Sequence, residues 1–138
     1  MRAHALVSCA LGTLLIGCAT STPGLSPEAV EAEPDTDHLC QLFHSAHEVQ
    51  TTMPNAQKDM AVIRAELIRR AATTPSEWEL TDAGNIQTGM HRCIVFALFG
   101  APTITSMNGP ITVYAFQSGD NVTFKDGVVA AFTVVNPR

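Results

Sequence analysis

Cysteine and histidine are the residue types in this chain that could bind a metal, and three of them are spaced to meet on one helix face. Cys40, His44 and His47 lie four and three residues apart, which is the spacing of neighbours along a helix. Thiolate and imidazole are ligands that zinc and copper prefer. No second group of such ligands follows along the chain. The sequence therefore favours a core thiol beside two histidines, with a metal site as the weaker alternative.

Cys93 and His91 come closest to a pairing of nucleophile and base. Side chains two residues apart on a helix do not face each other, and Arg92 is the one basic neighbour of the thiol in sequence. The chain also has no glycine-rich phosphate loop, no paired-carboxylate signature and no His-Glu-x-x-His sequence. We therefore predict that the protein has no catalytic residues, binds no cofactor and is not an enzyme.

The first residues of the chain have the order of a secretory signal. Arg2 precedes an uncharged run of apolar and small residues over positions 5–16. As a helix this run would extend roughly 18 Å, which is well short of the roughly 30 Å of a bilayer core. The pattern predicts export and removal of the leader, and it argues against a permanent membrane span.

The end of that run, Leu15-Ile16-Gly17-Cys18, resembles the lipobox of bacterial lipoproteins. The resemblance implies that residues 1–17 are removed as a lipoprotein signal peptide and that lipid is attached to Cys18. Two or more acyl chains make membrane residence long-lived, whereas a single chain binds reversibly. Ala19 follows the cysteine, which by the same resemblance implies sorting to the outer membrane, with the protein facing the periplasm.

Cys40 and Cys93 remain once Cys9 has left with the leader and Cys18 carries lipid. An exported protein reaches a compartment that permits disulfides, so these two cysteines could pair. The bond would close a loop of about 50 residues and contribute roughly 4 kcal/mol to stability. Two buried free thiols are an equally good alternative.

The net charge excludes some classes of partner, and the composition separates an N-terminal tether from a folded domain. The formal net charge of −5 at pH 7 argues against nucleic acid and against a polybasic surface for lipid headgroups. Residues 18–36 are rich in Pro, Ser, Thr and acids, and their two large apolar residues are Leu25 and Val30. We predict that this segment is a disordered tether and that residues 37–138 form one domain.

The first half of this domain has apolar residues at helical spacing. They predict helices over residues 38–53 and 55–71. The sequence Thr74-Pro75-Ser76-Glu77 has a capping residue, a proline at the first helical position and a glutamate three residues on, so it predicts the start of a short helix. A further short helix is expected over residues 91–99, with Gly100 at positive φ as its cap.

The second half changes to a period of two, which is typical of strands. Residues 111–117, 122–125 and 128–135 are rich in Val, Phe, Tyr and Thr. Asp126-Gly127 separates the last two runs, and Asp-Gly is a strong hairpin signal. The predicted fold is α+β, with the N-terminal helices packed on a three-stranded antiparallel meander.

Several of these motifs together are similar to one known family. They are Ile86-x-x-Gly89-Met90, Ala97-Leu98-Phe99-Gly100-Ala101-Pro102, the Tyr114 strand and Val122-Thr123-Phe124-x-Asp126-Gly127-Val128. The pattern resembles the SmpA/OmlA-type lipoproteins, the small BamE-like subunit of the machinery that assembles outer-membrane barrels. The resemblance implies a BamE-like fold and, more weakly, the same role. His91 departs from the family pattern, which usually has Ser or Thr there.

Four aromatic residues of the predicted sheet are candidates for a partner surface: Tyr114, Phe116, Phe124 and Phe132. Burial against the helices is the plainer expectation for them. Because one alternating set of side chains can face the helices, some of the four should lie outside. We therefore predict a lipid-anchored, protein-binding or scaffolding module of the cell envelope. The alternative is a periplasmic lipoprotein that binds a metal or a small ligand.

Overall fold

A computed structural model describes residues 24–135 of the chain. Within this range the chain forms five helices and one four-stranded antiparallel sheet, so the predicted α+β class is confirmed. The helices are α1 (Pro27–Ala32), α2 (Thr36–Glu48), α3 (Ala56–Arg69), α4 (Pro75–Asp82) and α5 (Arg92–Phe99). The strands are β1 (Ile104–Asn108), β2 (Ile111–Ala115), β3 (Asn121–Lys125) and β4 (Val128–Thr133).

α2 begins at an aspartate cap and ends earlier than the sequence predicted. The Asp35 carboxylate accepts hydrogen bonds from the N–H groups two and three residues further on, at 2.9 and 3.2 Å. The predicted helix ran to residue 53, but the backbone leaves helical geometry at Val49 and turns through residues 49–52. Branched threonines in that turn and Pro54 after it both disfavour helix.

The predicted start of α4 and the predicted end of α5 are confirmed. The Thr74 hydroxyl accepts a hydrogen bond from the Glu77 N–H at 3.3 Å, and the Glu77 carboxylate accepts one from the Thr74 N–H at 2.7 Å. These two bonds complete a capping box. Gly100 ends α5 with a φ of +77°. A Cβ atom at Gly100 would lie 2.8 Å from the His44 ring, so the close approach of α2 also requires glycine there.

The sheet has four strands, and the prediction of three was wrong. The strands lie in the order β1-β2-β3-β4, each antiparallel to the next. The missed strand, β1, is exposed at all five residues. Alternation of apolar and polar residues arises from burying one face, so a strand with no buried face lacks that signal. The predicted Asp126-Gly127 hairpin is confirmed, with both residues at positive φ.

α5 lies at the centre of the fold. It packs against α2 on one side, and its aromatic side chains contact the sheet on the other. The Phe96 and Tyr114 rings meet edge to face with centroids 5.3 Å apart, and α2 places Phe43 against Trp78 at 4.6 Å. All five residues from Cys93 to Ala97 are buried. α5 is therefore covered on both sides, as its almost wholly apolar sequence requires.

The predicted disordered tether over residues 18–36 was wrong for its described part. Residues 27–32 form α1, which packs against α3 and buries Val30 to 2% exposure. The Arg70 guanidinium donates to the carbonyl oxygens of Val30, Glu31 and Glu33, at 3.3, 3.2 and 2.7 Å. Ser26 caps this helix and Pro27 begins it, which are local signals that composition does not register. The contacts that bury it come from α3, more than 30 positions away.

The arginine that holds α1 is itself held by a carboxylate of α3. Arg70 Nε donates to Glu66 Oε1 at 2.6 Å, and Arg69 donates to both oxygens of the same carboxylate at 2.7 Å. The hydrogen bonds from Arg69 and Arg70 lower the pKa of Glu66 to about 2. Glu66 therefore stays ionised, and it keeps the Arg70 guanidinium aimed at the end of α1 over most of the pH range.

Candidate functional site

Cys40 and Cys93 form a disulfide that joins α2 to α5, with their Cα atoms 5.3 Å apart. Both residues are buried, at 0% and 4% exposure. Of the two states that the sequence left open, the structure has the bonded one. The bond ties the first half of the domain to the central helix, across 53 residues of chain.

The disulfide removes the proposed metal ligand set of Cys40, His44 and His47. A bonded sulfur is not a thiolate, so Cys40 is not free to coordinate zinc or copper. The His44 Nδ1 atom lies 3.3 Å from the carbonyl oxygen of Ala97, and its ring packs beside Gly100. Within residues 24–135, no three His, Cys, Asp or Glu side chains are grouped to hold a metal.

His91 contacts the Glu77 carboxylate and not Cys93. Its N–H and its Nδ1 atom lie 2.6 and 2.9 Å from Glu77 Oε1, and Glu77 Oε2 accepts from the Thr74 N–H. Burial raises the pKa of Glu77, but the hydrogen bonds from His91 and Thr74 outweigh it and leave the pKa below its usual value. Because Cys93 is bonded to Cys40, the considered Cys93–His91 nucleophile pair is not formed. Glu77 and His91 join α4 to the start of α5.

The aromatic partner surface predicted from the sequence was wrong for three of its four residues. Tyr114, Phe116 and Phe124 are buried at 9%, 4% and 2% exposure, on the side of the sheet that contacts α5. Phe132 is 40% exposed. It pairs with Val122 in register, so it lies on the same side of the sheet but on an edge strand. The other expectation, burial against the helices, is confirmed for Tyr114, Phe116 and Phe124.

Apart from Phe132, the exposed apolar side chains of the strands lie at β1 and the start of β2. Ile104 is 64% exposed, Met107 78% and Ile111 41%. No described strand lies on the far side of β1, so its outward backbone groups form the free edge of the sheet. This edge combines apolar side chains with backbone donors and acceptors that could pair with another strand.

Away from the sheet, a cleft of about 530 Å³ lies between α2, α3 and the ends of α4 and α5. The residues lining it include Phe43, His47, Met60, Arg64, Asp82 and Leu98. The Arg64 guanidinium lies 4.6 Å from the centre of the Trp78 ring and donates two hydrogen bonds to Asp82, at 2.7 and 3.1 Å. Since Asp82 occupies the arginine fork, this cleft suits a small, largely apolar ligand better than an anion.

The proposed lipid attachment at Cys18 and the signal over residues 1–17 lie outside the described residues. Across residues 24–135, none of the helices combines the length and the hydropathy needed to cross a bilayer.

Comparison with protein-family models, with curated proteins and with solved structures finds no match to this chain. The resemblance to SmpA/OmlA-type lipoproteins therefore stays a prediction from the motifs.

Sequence reasoning missed both the exposed edge and the cleft. Gly109-Pro110 between two apolar segments was a turn signal that could have revealed the hairpin of β1 and β2. The Arg64–Asp82 pair joins residues 18 positions apart on different helices, and no local pattern predicts such a contact.

Proposed function

We propose that the protein is a lipid-anchored lipoprotein of the cell envelope whose α+β domain acts as a protein-binding or scaffolding module. In this proposal Cys18 carries the acyl chains, the protein faces the periplasm from the outer membrane, and the domain serves outer-membrane assembly or maintenance. The BamE-like part of the proposal rests on the motif resemblance, and the α+β class of the domain is compatible with it.

The buried Cys40–Cys93 disulfide is the observation that carries the exported part of this proposal. Structural disulfides persist in oxidising compartments such as the periplasm and are rare in the cytosol. The bond therefore agrees with the secretory pattern over residues 1–17, which rests on entirely different residues. Export followed by a cysteine at the end of the apolar run is the combination expected of a lipoprotein.

The free edge at β1 supports the binding part of the proposal. Acyl chains would confine the domain to a membrane surface, which raises its effective concentration towards partners on the same membrane. Under that confinement, a short apolar edge would bind partners that it could not hold in free solution. No covalent chemistry is needed for such a role, and no catalytic residue, metal or further cofactor is part of the proposal.

A second candidate function is a periplasmic lipoprotein that binds a small apolar ligand. The cleft beside Arg64 favours it, because its volume lies within the range of small-molecule sites and most of its lining is apolar. Native mass spectrometry of the gently purified protein tests this candidate. A bound molecule lost in Met60→Arg, which fills the cleft, would favour it over the scaffolding role.

Intact-mass measurement of the protein from membranes of a Gram-negative host tests the main proposal. The expected mass under non-reducing conditions is that of residues 18–138 plus acyl chains, less two hydrogens for the disulfide. Cys18→Ser is the matched control and should give an unlipidated product. An unlipidated wild-type product cut elsewhere would contradict the anchor, and with it the mechanism of confinement.

A further inference from the structure

We propose that the turn between α2 and α3, residues 49–55, is a membrane-contacting surface, with the Met53 side chain in the headgroup layer of the bilayer that holds the anchor. This orientation rests on the lipid attachment at Cys18 in the proposed function, and it adds which side of the domain faces the lipid. The place where the chain enters the fold carries it, together with the exposed side chains and backbone bonds of the α2–α3 turn.

The chain enters the described domain at the start of α3. The Leu25 N–H donates to Asp59 Oδ1 at 2.7 Å. A Cβ atom at Gly24 would lie 3.3 Å from the Asn55 Cβ atom, so the backbone of Gly24 packs against Asn55. Met53 is two residues before Asn55, and the Cα atoms of such residues are at most about 7.6 Å apart. The α2–α3 turn therefore lies beside the first described residues.

α1 carries the chain away from this end of the domain. Leu25, before α1, is bonded to the start of α3, whereas the carbonyl oxygen of Glu33, after α1, accepts from Arg70 at the end of α3, at 2.7 Å. α3 has 14 residues, which corresponds to a length of about 21 Å. Its far end holds the charges of Glu66, Arg69 and Arg70. The chain thus enters beside an uncharged turn and leaves α1 beside a cluster of charges.

The length of chain before Gly24 limits how far the domain can lie from its lipid. Six residues, 18–23, separate the proposed lipid attachment at Cys18 from Gly24. At 3.3–3.6 Å per residue, six residues cannot extend beyond about 22 Å. This short connection favours orientations in which the α2–α3 turn is the part of the domain nearest the bilayer.

The α2–α3 turn also has the chemistry of a surface that enters the boundary between lipid and water. It contains no charged residue, and Met53 is 55% exposed. The N–H groups of Thr52 and Met53 both donate to the Val49 carbonyl oxygen, at 3.0 and 2.8 Å, and Pro54 has no N–H. Backbone donors that are already bonded cost less free energy to remove from water than free ones do.

β1 exposes apolar side chains as well, but it lies away from the point of entry. The sheet contacts α5 on the side opposite α2, and α3 packs on α2. β1 is the edge strand of that sheet. Exposure and lack of charge do not distinguish Met53 from Met107, which is 78% exposed. The hydrogen bond between Leu25 and the start of α3 distinguishes them, because it fixes the short connection to Cys18 beside Met53.

Met53 by itself is a weak membrane contact. A single myristoyl chain has far more apolar surface than one methionine side chain, and it gives only marginal, reversible binding. The net charge of −5 adds no attraction to anionic lipids. The contact therefore forms while the acyl chains hold the turn at the membrane surface, and the unlipidated domain is expected to stay in solution.

Fluorescence quenching in vesicles tests this orientation on the lipidated full chain. An environment-sensitive fluorophore is attached to Thr51→Cys in the α2–α3 turn or to Thr105→Cys in β1, since both threonines are exposed. Cys40 and Cys93 are bonded to each other and Cys18 is acylated in the proposal, so the new thiol is the one that reacts. The vesicles of phosphatidylethanolamine and phosphatidylglycerol contain a lipid with a nitroxide in its headgroup. Quenching should be severalfold stronger at position 51 than at position 105.

Met53→Asp is the second variant, and it is read with the fluorophore at position 51. It places a charge where the orientation requires an apolar side chain, so quenching should fall to the level found at position 105. Met107→Asp, at the exposed methionine of β1, is the matched control and should leave quenching at position 51 unchanged. Circular dichroism and melting temperature should be unchanged in both variants, because both side chains are exposed.

Equal quenching at positions 51 and 105 would overturn the inference, and so would quenching at position 51 that survives Met53→Asp. The acyl mass of the same samples separates this failure from failure of the anchor. Lipidated protein with equal quenching at the two positions would contradict the orientation alone. Protein without acyl chains would contradict the anchor at Cys18, and the orientation with it.

Discussion

At the residue scale, Glu77 connects more backbone segments than its position in a short helix suggests. Its carboxylate accepts from the N–H groups of Thr74 and His91, and His91 in turn forms a bridge with Val128 of β4. α4, α5 and the sheet thus meet at one buried charge. Removing the carboxylate would cost more stability than its hydrogen bonds contribute, because the N–H groups left behind would be buried with neither a protein partner nor water.

We predict that Glu77→Ala lowers the free energy of unfolding by about 2–3 kcal/mol at pH 7. Since the pKa of Glu77 in the folded protein is below its usual value of about 4.5, this contribution is complete above that pH and is lost as the pH falls through the lower value. The difference in free energy of unfolding between wild type and variant should therefore become smaller as the pH is lowered. Urea unfolding at several pH values measures it.

Glu79→Ala provides the control for that measurement, because Glu79 lies on the same helix and is exposed. Its effect should stay within about 0.5 kcal/mol. A similar loss for both variants, or a gap for Glu77→Ala that does not depend on pH, would contradict the role assigned to the Glu77 carboxylate.

At the scale of elements, the disulfide is the covalent link between α2 and α5. We predict that the double variant Cys40→Ala/Cys93→Ala unfolds with a free energy about 4 kcal/mol lower than wild type, because the 53-residue loop is no longer closed in the unfolded chain. Fluorescence of Trp78, which is 2% exposed, reports the transition in urea. Reductant should shift wild type towards the variant and leave the variant unchanged; a wild type insensitive to complete reduction would refute this.

One side chain of α3, Arg70, supplies the hydrogen bonds to the C-terminal end of α1. Arg70 donates to three carbonyl oxygens at the end of α1, whereas Arg69 contacts Glu66 and is 62% exposed. We predict that Arg70→Ala speeds amide exchange at Val30 by about tenfold or more, which corresponds to ~1.4 kcal/mol of local opening. Arg69→Ala should leave Val30 nearly unchanged, and hydrogen-exchange mass spectrometry compares the two. Equal acceleration in both variants would mean that Arg70 does not hold α1.

At the scale of the whole molecule, the net negative charge disfavours binding to anionic lipids. Lipid attachment is therefore the expected means of membrane association. We predict that Cys18→Ser protein stays in the supernatant when it is sedimented with vesicles of phosphatidylglycerol and phosphatidylethanolamine. The chain carries −5, so anionic headgroups repel it. Lipidated wild type should sediment with the same vesicles. Sedimentation of the Cys18→Ser protein would reveal a membrane-binding surface in the domain itself.

The local features of the fold were predictable because local contacts produce them. The capping box of Thr74 and Glu77, the positive φ of Gly100 and the Asp126-Gly127 turn depend on residues within a few positions of each other. Each appears in the sequence as a residue type at a fixed spacing. The α+β order of elements follows from them.

Long-range contacts decided the rest. Val30 is buried because Arg70 and α3 hold α1 in place, and composition alone predicted no structure there. β1 forms because β2 supplies its hydrogen bonds, although none of its own side chains is buried. These elements leave weak periodic signals, since their stability comes from partners that lie elsewhere in the chain.

The sequence by itself predicted that helices precede an antiparallel sheet, four of the five helices and three of the four strands, together with the secretory pattern and the lipobox resemblance. The tertiary structure alone decided that Cys40 and Cys93 are bonded, that three of the sheet aromatics are interior and that β1 is the free edge. The physical reason is the same in each case. Burial, bonding between distant sulfurs and exposure of an edge depend on which surfaces meet in space, and residue types along the chain leave several such arrangements open.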